Sequence, residues 1–174
     1  MRNGILTQEL AGSVRLSVSS AKTVLSLRIS TIVHATEDPG KVDRAIRNLC
    51  QLDGSIQPFA NRVKGHYGNQ ITSLVLTVKN SKAAENCLKD IWTRLSVLDR
   101  DAVHSSLTSR VDNSGTLFLR VDKQGAFKGT IRLQDTDPIK LGISFKSLGM
   151  KHHEIINTIQ KMLTGITSSA VESH

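Results

Sequence analysis

Apolar and polar residues alternate in several short segments of the chain, and this period of two predicts β-strands. In residues 117–122, leucine and valine would occupy one face, while Phe118, Arg120 and Asp122 would occupy the other. Clean alternation of this kind indicates an antiparallel sheet with one face exposed to solvent. Six segments are expected to be strands or extended chain: residues 24–35, 59–67, 71–78, 117–122, 130–133 and 139–146.

A period of three to four residues in the apolar positions predicts helices between the strands. The first begins at the Asp-Pro pair of residues 38–39, where aspartate can cap the helix and proline suits the first helical position. The second has a wide apolar stripe over residues 84–98, and a short helix over residues 99–107 follows it. The last covers about residues 150–163. Together these elements predict an α+β fold, a mainly antiparallel sheet with helices packed on one face.

The pattern divides the 174 residues into three parts. Residues 1–22 are Ser-rich, have no firm period and are expected to be an N-terminal tail. Residues 23–147 form the α+β domain, and residues 148–174 form a C-terminal amphipathic helix with a polar tail. A hydrophobic content of 39% suffices for a sizeable core, and an aromatic content of 3% means that the core is mostly aliphatic.

The chain is basic, with 23 Lys and Arg against 15 Asp and Glu. The excess falls in the predicted strand segments and in the N-terminal tail, since residues 59–80 contain three basic residues and no acid, whereas residues 81–105 are neutral. A basic face indicates a polyanionic partner, most often nucleic acid. The alternative is a basic protein without such a partner. The exposed face of the sheet is expected to collect Arg28, His34, Arg120, Arg132, Lys140 and Lys146.

A cluster of cations, amides and one aromatic residue surrounds a predicted turn between two strands. Phosphate contacts and base stacking use these residue types. Within the cluster, residues 65–68 (GHYG) match the two-glycine loop that clamps nucleic-acid backbone in one RNA-binding module, although that module places the loop between helices. An ordinary hairpin turn explains the glycines equally well. The cluster consists of Asn61, Arg62, Lys64, His66, Tyr67 and Asn69.

We find no residue pattern typical of a metal site or a catalytic site. Residues 152–154 (HHE) approach the zinc-protease pattern, but Asn157 stands where its second histidine is required. The serines at residues 105, 106 and 109 lack a nearby base and a nucleophile turn. We therefore expect no metal, no cofactor and no enzyme activity. A nuclease or another RNA-modifying enzyme would need a site that the sequence does not show.

Two aspartates, Asp112 and Asp122, could be imagined as a carboxylate pair. Each has a basic neighbour in sequence, Arg110 and Lys123 respectively. Nothing in the sequence fixes the separation of the two carboxylates. Surface ion pairs with these neighbours are therefore the preferred interpretation.

The two cysteines, Cys50 and Cys87, each fall on the apolar side of a predicted helix and are expected to be small buried hydrophobic residues. Two isolated cysteines do not form a secreted disulfide framework, so the composition favours an intracellular, cytoplasmic protein. No apolar run approaches the roughly 18 residues that span a membrane, and no membrane partner is expected.

Three stretches carry a resemblance to a known family: residues 65–71 (GHYGNQI), 109–124 with the strand motif LFLRVDKQ, and 137–141 (DPIKL). Over about residues 27–146 the chain resembles the archaeal RNA-binding protein family described as a predicted exosome subunit. Gln70 departs from the proline usual in that family, and Gly125 stands where alanine is common. The resemblance implies RNA binding, exosome-type RNA processing, and a fold similar to the large-subunit ribosomal protein that binds the small five-S ribosomal RNA.

We therefore expect a non-catalytic RNA-binding protein in RNA processing or degradation, associated with the exosome, or in ribosome biogenesis. The expected partners are RNA and subunits of the exosome or of another ribonucleoprotein. The alternative is a protein-interaction adaptor of a ribonucleoprotein assembly, docking through a sheet edge or through the apolar stripe of residues 150–163. Tyr67 or Phe118 could stack on a base. Charge and position select these candidate RNA-binding residues: Arg62, Lys64, His66, Tyr67, Asn69, Arg110, Arg120, Lys123 and Lys128.

Overall fold

A computed structural model describes residues 23–50, 56–64 and 70–171 of the chain. The predicted tail at residues 1–22, the predicted end of the first helix at residues 53–54 and the turn at residues 65–69 lie outside them. In chain order the elements are β1 (Val24–Val33), α1 (Pro39–Leu49), β2 (Phe59–Lys64), β3 (Gln70–Val78), α2 (Ser81–Arg94), α3 (Val97–Ser105), α4 (Leu107–Arg110), β4 (Thr116–Asp122), α5 (Lys123–Phe127), β5 (Pro138–Phe145) and α6 (His152–Val171).

The strands form one five-stranded sheet in the order β2-β3-β1-β5-β4. Every neighbouring pair is antiparallel. The central strand β1 pairs Ile29 with Leu76 of β3 on one side and with Leu141 of β5 on the other. These three side chains are fully or almost fully buried. The antiparallel sheet and its helices confirm the predicted α+β class.

The core lies between one face of the sheet and the helices α1, α2 and α6. Helix α1 begins where the sequence predicted, because the Asp38 side chain accepts a hydrogen bond from the Gly40 amide at 2.8 Å. Asn80 caps α2 in the same way through the Ala83 amide, at 3.0 Å. Such caps satisfy backbone donors that a helix start leaves unpaired. Cys50 is buried as predicted.

The predicted strand at residues 130–133 is absent, and the short helix α5 (Lys123–Phe127) occupies part of the connection before it. The Asp122 carboxylate accepts the Gln124 amide at 3.0 Å and starts α5 directly after β4. Gly125 lies inside α5, and a Cβ there would come within 2.8 Å of the Asp122 carboxylate. Only a single bridge between Val121 and Leu133 remains of the expected pairing. Local side-chain capping by Asp122 therefore replaces the expected connection after β4 with a short helix.

The predicted apolar stripe of the second helix ends earlier than expected. Leu95 is the C-cap residue of α2, and Ser96 caps a new helix by accepting the Asp99 amide at 3.1 Å. As a result, Leu98 leaves the core and is 81% exposed, whereas the sequence pattern assigned it to the buried stripe.

Helix α6 is longer than predicted and belongs to the same core. Ile155, Ile159 and Leu163 are buried, and burial continues at Ile166, beyond the predicted end at residue 163. The helix contacts α2, where the Trp92 indole donates to the Thr167 hydroxyl at 3.1 Å. The apolar stripe that suggested a docking surface is therefore occupied by the protein's own fold. None of the described helices is long and apolar enough to cross a membrane.

Candidate nucleic-acid interface

The sheet has a face turned away from the helices, which we call the open face. Successive side chains of a strand point to opposite sides. Because Leu27 and Ile29 are buried against the helices, Arg28 and Ser30 belong to the open face. The same alternation assigns Arg120 of β4 and Lys140 of β5 to it, and Arg28, Arg120 and Lys140 are all exposed.

The strand register places these cations in two adjacent rows that cross the sheet. In one row Arg120 pairs with Lys140, and Lys140 pairs with Ser30 of β1. In the next row Phe118 pairs with Gly142, and Gly142 pairs with Arg28. Strands lie about 4.8 Å apart, so the three cations fall within a patch roughly 10 Å across in that direction.

Few carboxylates oppose these cations. Asp122 is the one acidic residue among the described strand positions of the open face, and it is buried. Its carboxylate binds Arg132 at 2.7 Å and caps α5, so it is already paired. Asp135 lies beside the face and contacts Arg120 at 3.2 Å, but its side chain is 83% exposed. The open face therefore carries a net positive charge that an anion can reach.

Two phenylalanines add exposed aromatic surface at opposite edges of the sheet. Phe118 of β4 is 49% exposed, and Phe59 of β2 is 69% exposed. Phe118 was a stacking candidate from the sequence, whereas Phe59 was missed. The alternation along β2 could have identified Phe59, because it places Phe59 and Asn61 on the face opposite to the candidate Arg62.

A shallow cleft of about 450 Å³ lies on the open face between β1, β3 and the start of β5. Its lining includes Ser30, Ser73 and Lys140, which offer hydroxyl groups and one ammonium. His34 and Asp137 also line it, and the Asp137 carboxylate is paired with Lys123. Arg28, Arg120 and Lys140 are thus accompanied by hydrogen-bonding groups of the kind that contact phosphate and sugar.

The candidates of the 62–69 cluster lie apart from the open face or outside the described residues. Arg62 pairs with Thr72 and Lys64 with Gln70 along the edge pair β2–β3. This register gives Arg62 the strand phase of Ala60 and Leu74, on the helix side of the sheet. His66, Tyr67 and Asn69 fall in residues 65–69 and are outside the described residues.

Lys123 is 3% exposed. Its ammonium donates to the Asp137 carboxylate at 2.7 Å, to the Glu37 carboxylate at 3.0 Å and to the Ile32 carbonyl at 2.8 Å. These groups use its three donors. The side chain joins β1, α5 and the segment before β5, which is a structural position and leaves it no free proton for a phosphate.

His34, Glu37 and Asp137 bring three potential metal ligands within 4.8 Å of one another. The cation between the two carboxylates is the Lys123 ammonium, so a metal ion would have to displace that lysine. Burial opposes ionisation of Asp137, but hydrogen bonds from Lys123 and His34 outweigh it and hold the pKa of that carboxyl below its usual value. The cluster is consistent with a lysine-centred ion-pair group.

Arg110 and Lys128 also lie apart from the open face. Arg110 ends α4, which contacts β4 and α6, and its Nε donates to the Ser106 hydroxyl at 2.7 Å. Lys128 follows α5 on the helix side and lines a cleft of about 440 Å³ with Arg44 and Arg94. Among the charged sequence candidates whose side chains are described, Arg120 alone lies on the open face.

The two aspartates interpreted as ion pairs have other partners. Asp112 accepts the amides of Ser114 and Thr116, at 3.0 and 2.8 Å, and so closes the turn before β4. Burial opposes its ionisation, yet these hydrogen bonds hold the pKa of Asp112 below its usual value. Asp122 binds Arg132 and not Lys123. Neither predicted ion pair is formed.

Fold and open face together define an α+β protein whose sheet presents cations and aromatic rings to solvent, an arrangement suited to nucleic acid. Residues 26–145, which span the sheet from β1 to β5, match the family model described as RNA binding. The chain belongs to this RNA-binding family, which confirms the RNA-binding part of the resemblance seen in the sequence.

Similar proteins come from archaea. The chain is 31% identical to the RNA-binding protein PAB1135 of Pyrococcus abyssi over 144 residues, which cover 80% of this chain and 94% of the relative. It is similar in structure to protein AF2318 of Archaeoglobus fulgidus, of family model DUF54, with TM-score 0.72, 28% identity, and coverage of 80% and 99% of the two chains. A DUF54 protein of Methanothermobacter thermautotrophicus gives TM-score 0.68 at 27% identity, with coverage of 81% and 98%.

Proposed function

We propose that this protein is a non-catalytic RNA-binding protein that holds RNA on the open face of its sheet. The observation that carries the proposal is the group Arg28, Arg120 and Lys140, exposed together on a face with little opposing negative charge. Membership of the RNA-binding family supplies the class of ligand. In this arrangement the cations bind phosphates and position the RNA, which is the usual division of labour between backbone and base contacts.

Phosphate binding by three cations has a quantitative consequence. Each neutralised phosphate of a single strand releases counterions and contributes about −0.7 to the slope of log affinity against log salt concentration. Three contacts therefore predict a slope of about −2. Removing two of the three cations should reduce its magnitude by about 1.4.

The test is a salt titration of RNA binding by the full chain and by Arg28→Ala/Lys140→Ala. The matched control is Lys82→Ala/Lys161→Ala, which removes the same charge from exposed helix positions. The proposal predicts a flatter salt dependence and weaker binding for the open-face variant, and wild-type behaviour for the control. Equal weakening of both variants, or none in either, would contradict an RNA site on the open face.

The sequence candidates away from this face stay predictions. A third variant, Arg62→Ala/Lys64→Ala, tests the 62–69 cluster in the same titration. An equal loss with this variant would add that cluster to the interface. Arg110→Ala and Lys128→Ala test the two remaining exposed or half-buried candidates. Lys123 is left out of the proposed interface because its ammonium is already paired.

We further propose, from the sequence resemblance, that the bound RNA is a substrate of processing or degradation by an exosome-type assembly or an intermediate of ribosome biogenesis. The fold resemblance to the five-S-RNA-binding ribosomal protein belongs to the same proposal. Co-purification with exosome subunits that survives ribonuclease treatment would support a direct assembly. The adaptor alternative loses its helical docking surface, because Ile155 and Ile159 of α6 are buried in the protein's own core.

A further inference from the structure

The ring of Phe118 lies over a glycine on the neighbouring strand of the open face. Its cross-strand partner is Gly142, which has no side chain. A Cβ built at Gly142 would lie 3.6 Å from the Phe118 Cε1 atom, so the ring lies over the backbone of β5. Arg28 pairs with Gly142 from the other side. Gly142 is thus a seat flanked by Phe118 on one neighbouring strand and by Arg28 on the other.

The Phe118 ring is not part of the hydrophobic core, so core packing does not account for its position. Phe145, on β5, is buried, whereas Phe118 is 49% exposed on the edge strand β4. Exposed apolar surface on an edge strand invites unwanted association between chains. The covering of Gly142 by the ring can stabilise the sheet, as aromatic residues do beside strand glycines. That stabilisation uses one side of the ring and leaves the other side open for a ligand.

A second exposed ring, that of Phe59, lies at the opposite edge of the open face. Phe59 is on β2, four strand spacings from β4, which is roughly 19 Å at about 4.8 Å per spacing. The cations Arg28 and Lys140 lie on the strands between the two rings. At about 3.4 Å per nucleotide along a stacked strand, the path corresponds to about six nucleotides.

We infer that the ligand of the open face is single-stranded RNA, with an unpaired base stacked on Phe118 above Gly142 and the adjoining phosphates held by Arg28 and Lys140. This inference rests on the RNA-binding function proposed above and adds the class of RNA. Paired bases of an A-form duplex lie inside the helix and cannot stack on a protein side chain, whereas unpaired bases can. Every base has a flat face, so the site accepts different sequences.

The experiment compares three ligands of equal length: a single-stranded decaadenylate, the same number of abasic ribonucleotides, and a ten-base-pair RNA duplex. The abasic oligomer keeps the phosphates and removes the bases. The wild-type chain should bind the decaadenylate at least about fivefold more tightly than either other ligand, the lower end of the effect of one stacked base. Phe118→Leu should lose this preference while it still binds the abasic oligomer like the wild type.

Two controls separate stacking from stability. Leu98→Ala removes an exposed apolar side chain elsewhere and should change nothing in RNA binding. Gly142→Val, whose methyl groups would occupy the seat, should reduce the preference for bases. Gly142→Ala should keep that preference, because its Cβ makes only ordinary contacts. Melting temperatures identify any variant whose fold has changed. If Phe118→Leu is such a variant, the comparison of Gly142→Val with Gly142→Ala tests base stacking in its place.

The outcomes also separate this inference from the proposed function. If the wild type binds abasic and duplex RNA as tightly as decaadenylate, while Arg28→Ala/Lys140→Ala still weakens binding, base stacking is overturned and RNA binding by the open face stands. If Arg28→Ala/Lys140→Ala has no effect on any ligand, the proposed function fails and this inference fails with it.

Discussion

At the scale of single residues, a cation's surroundings decide whether it is available to RNA. Arg120 and Lys123 are three positions apart in the sequence and carry the same charge. Arg120 is exposed beside one solvated carboxylate, whereas Lys123 is buried between two. An exposed ion pair contributes about 0–1 kcal/mol, so a phosphate can replace Asp135 at Arg120 at little cost. The buried pairs of Lys123 hold the fold together instead.

Asp135 should compete with RNA for Arg120. The change Asp135→Asn removes that carboxylate and should raise RNA affinity by about two- to fivefold, since surface pairs of this kind are worth up to about 1 kcal/mol. Asp101→Asn makes the same change of charge at an exposed position of α3 and should have a smaller effect. Affinities measured at one low salt concentration check this. Unchanged affinity in Asp135→Asn would indicate that Arg120 does not contact RNA.

Lys123 should matter for stability. Lys123→Met leaves the carboxylates of Glu37 and Asp137 without their main partner and should cost about 2–3 kcal/mol in the free energy of unfolding. The loss of stability is smaller than for a fully buried pair, because the Asp137 side chain is 40% exposed. Urea unfolding measures the loss, and Lys128→Met at an exposed position is the control, expected within about 0.5 kcal/mol of wild type.

The same ion pair should show a defined pH dependence. The pKa of Asp137 in the folded protein lies below its ordinary value of 3.8, so the carboxylate's contribution to stability is fully present above that pH. It is lost as the pH falls through the lower, folded-state pKa. The stability difference between wild type and Lys123→Met should therefore shrink below about pH 3.8, and a constant difference would argue against the pairing.

At the scale of elements, long periodic segments could be predicted from the sequence and short ones could not. The caps of α1 and α2 and the phases of β1, β4 and β5 follow from residue type and alternation, so Arg28, Arg120 and Lys140 could be assigned to one face. The segment 123–133 could not, because the five-residue helix α5 is too short to show a period, and the close approach of Gly125 to the Thr130 carbonyl depends on the folded chain.

The site residues show the same limit. Charge alone does not distinguish Lys123 from Arg120, since burial depends on Glu37 and Asp137, which are distant in sequence. The sequence prediction also missed Phe59. It selected Arg62 by its charge, although Arg62 has the opposite strand phase in β2 from Phe59 and the open face. Where contacts between distant residues decide whether a side chain is exposed, the local sequence pattern does not predict that exposure.

Helix α6 should be part of the stability of the fold. Ile159 is fully buried, and Ile159→Ala should lower the free energy of unfolding by about 2–4 kcal/mol through lost burial and a residual cavity. Gln160→Ala, at the adjacent exposed position, is the control. RNA affinity should be unchanged in both variants under conditions where they are folded. A stable Ile159→Ala protein would return α6 to consideration as a docking surface.

At the scale of the whole molecule, cationic side chains lie on both sides of the sheet. The open face has Arg28, Arg120 and Lys140 with exposed rings. The helix side has Arg94, which is bound to Asp90 at 2.9 Å and to the Asn48 carbonyl at 2.9 Å. Such contacts use the guanidinium to join α1 and α2. RNA is therefore expected on the open face, where Arg28 and Lys140 are exposed.

The most direct measurement is methyl NMR of the full chain during titration with single-stranded RNA. Ile32 and Val75 belong to the open face by strand phase, whereas Val42 lines a second cleft on the helix side, together with Lys41 and Lys128. The account predicts shifts of the Ile32 and Val75 methyl signals that saturate with RNA, while the Val42 signal stays in place. Shifts at Val42 with unchanged Ile32 and Val75 would place the RNA on the helix side and contradict the account.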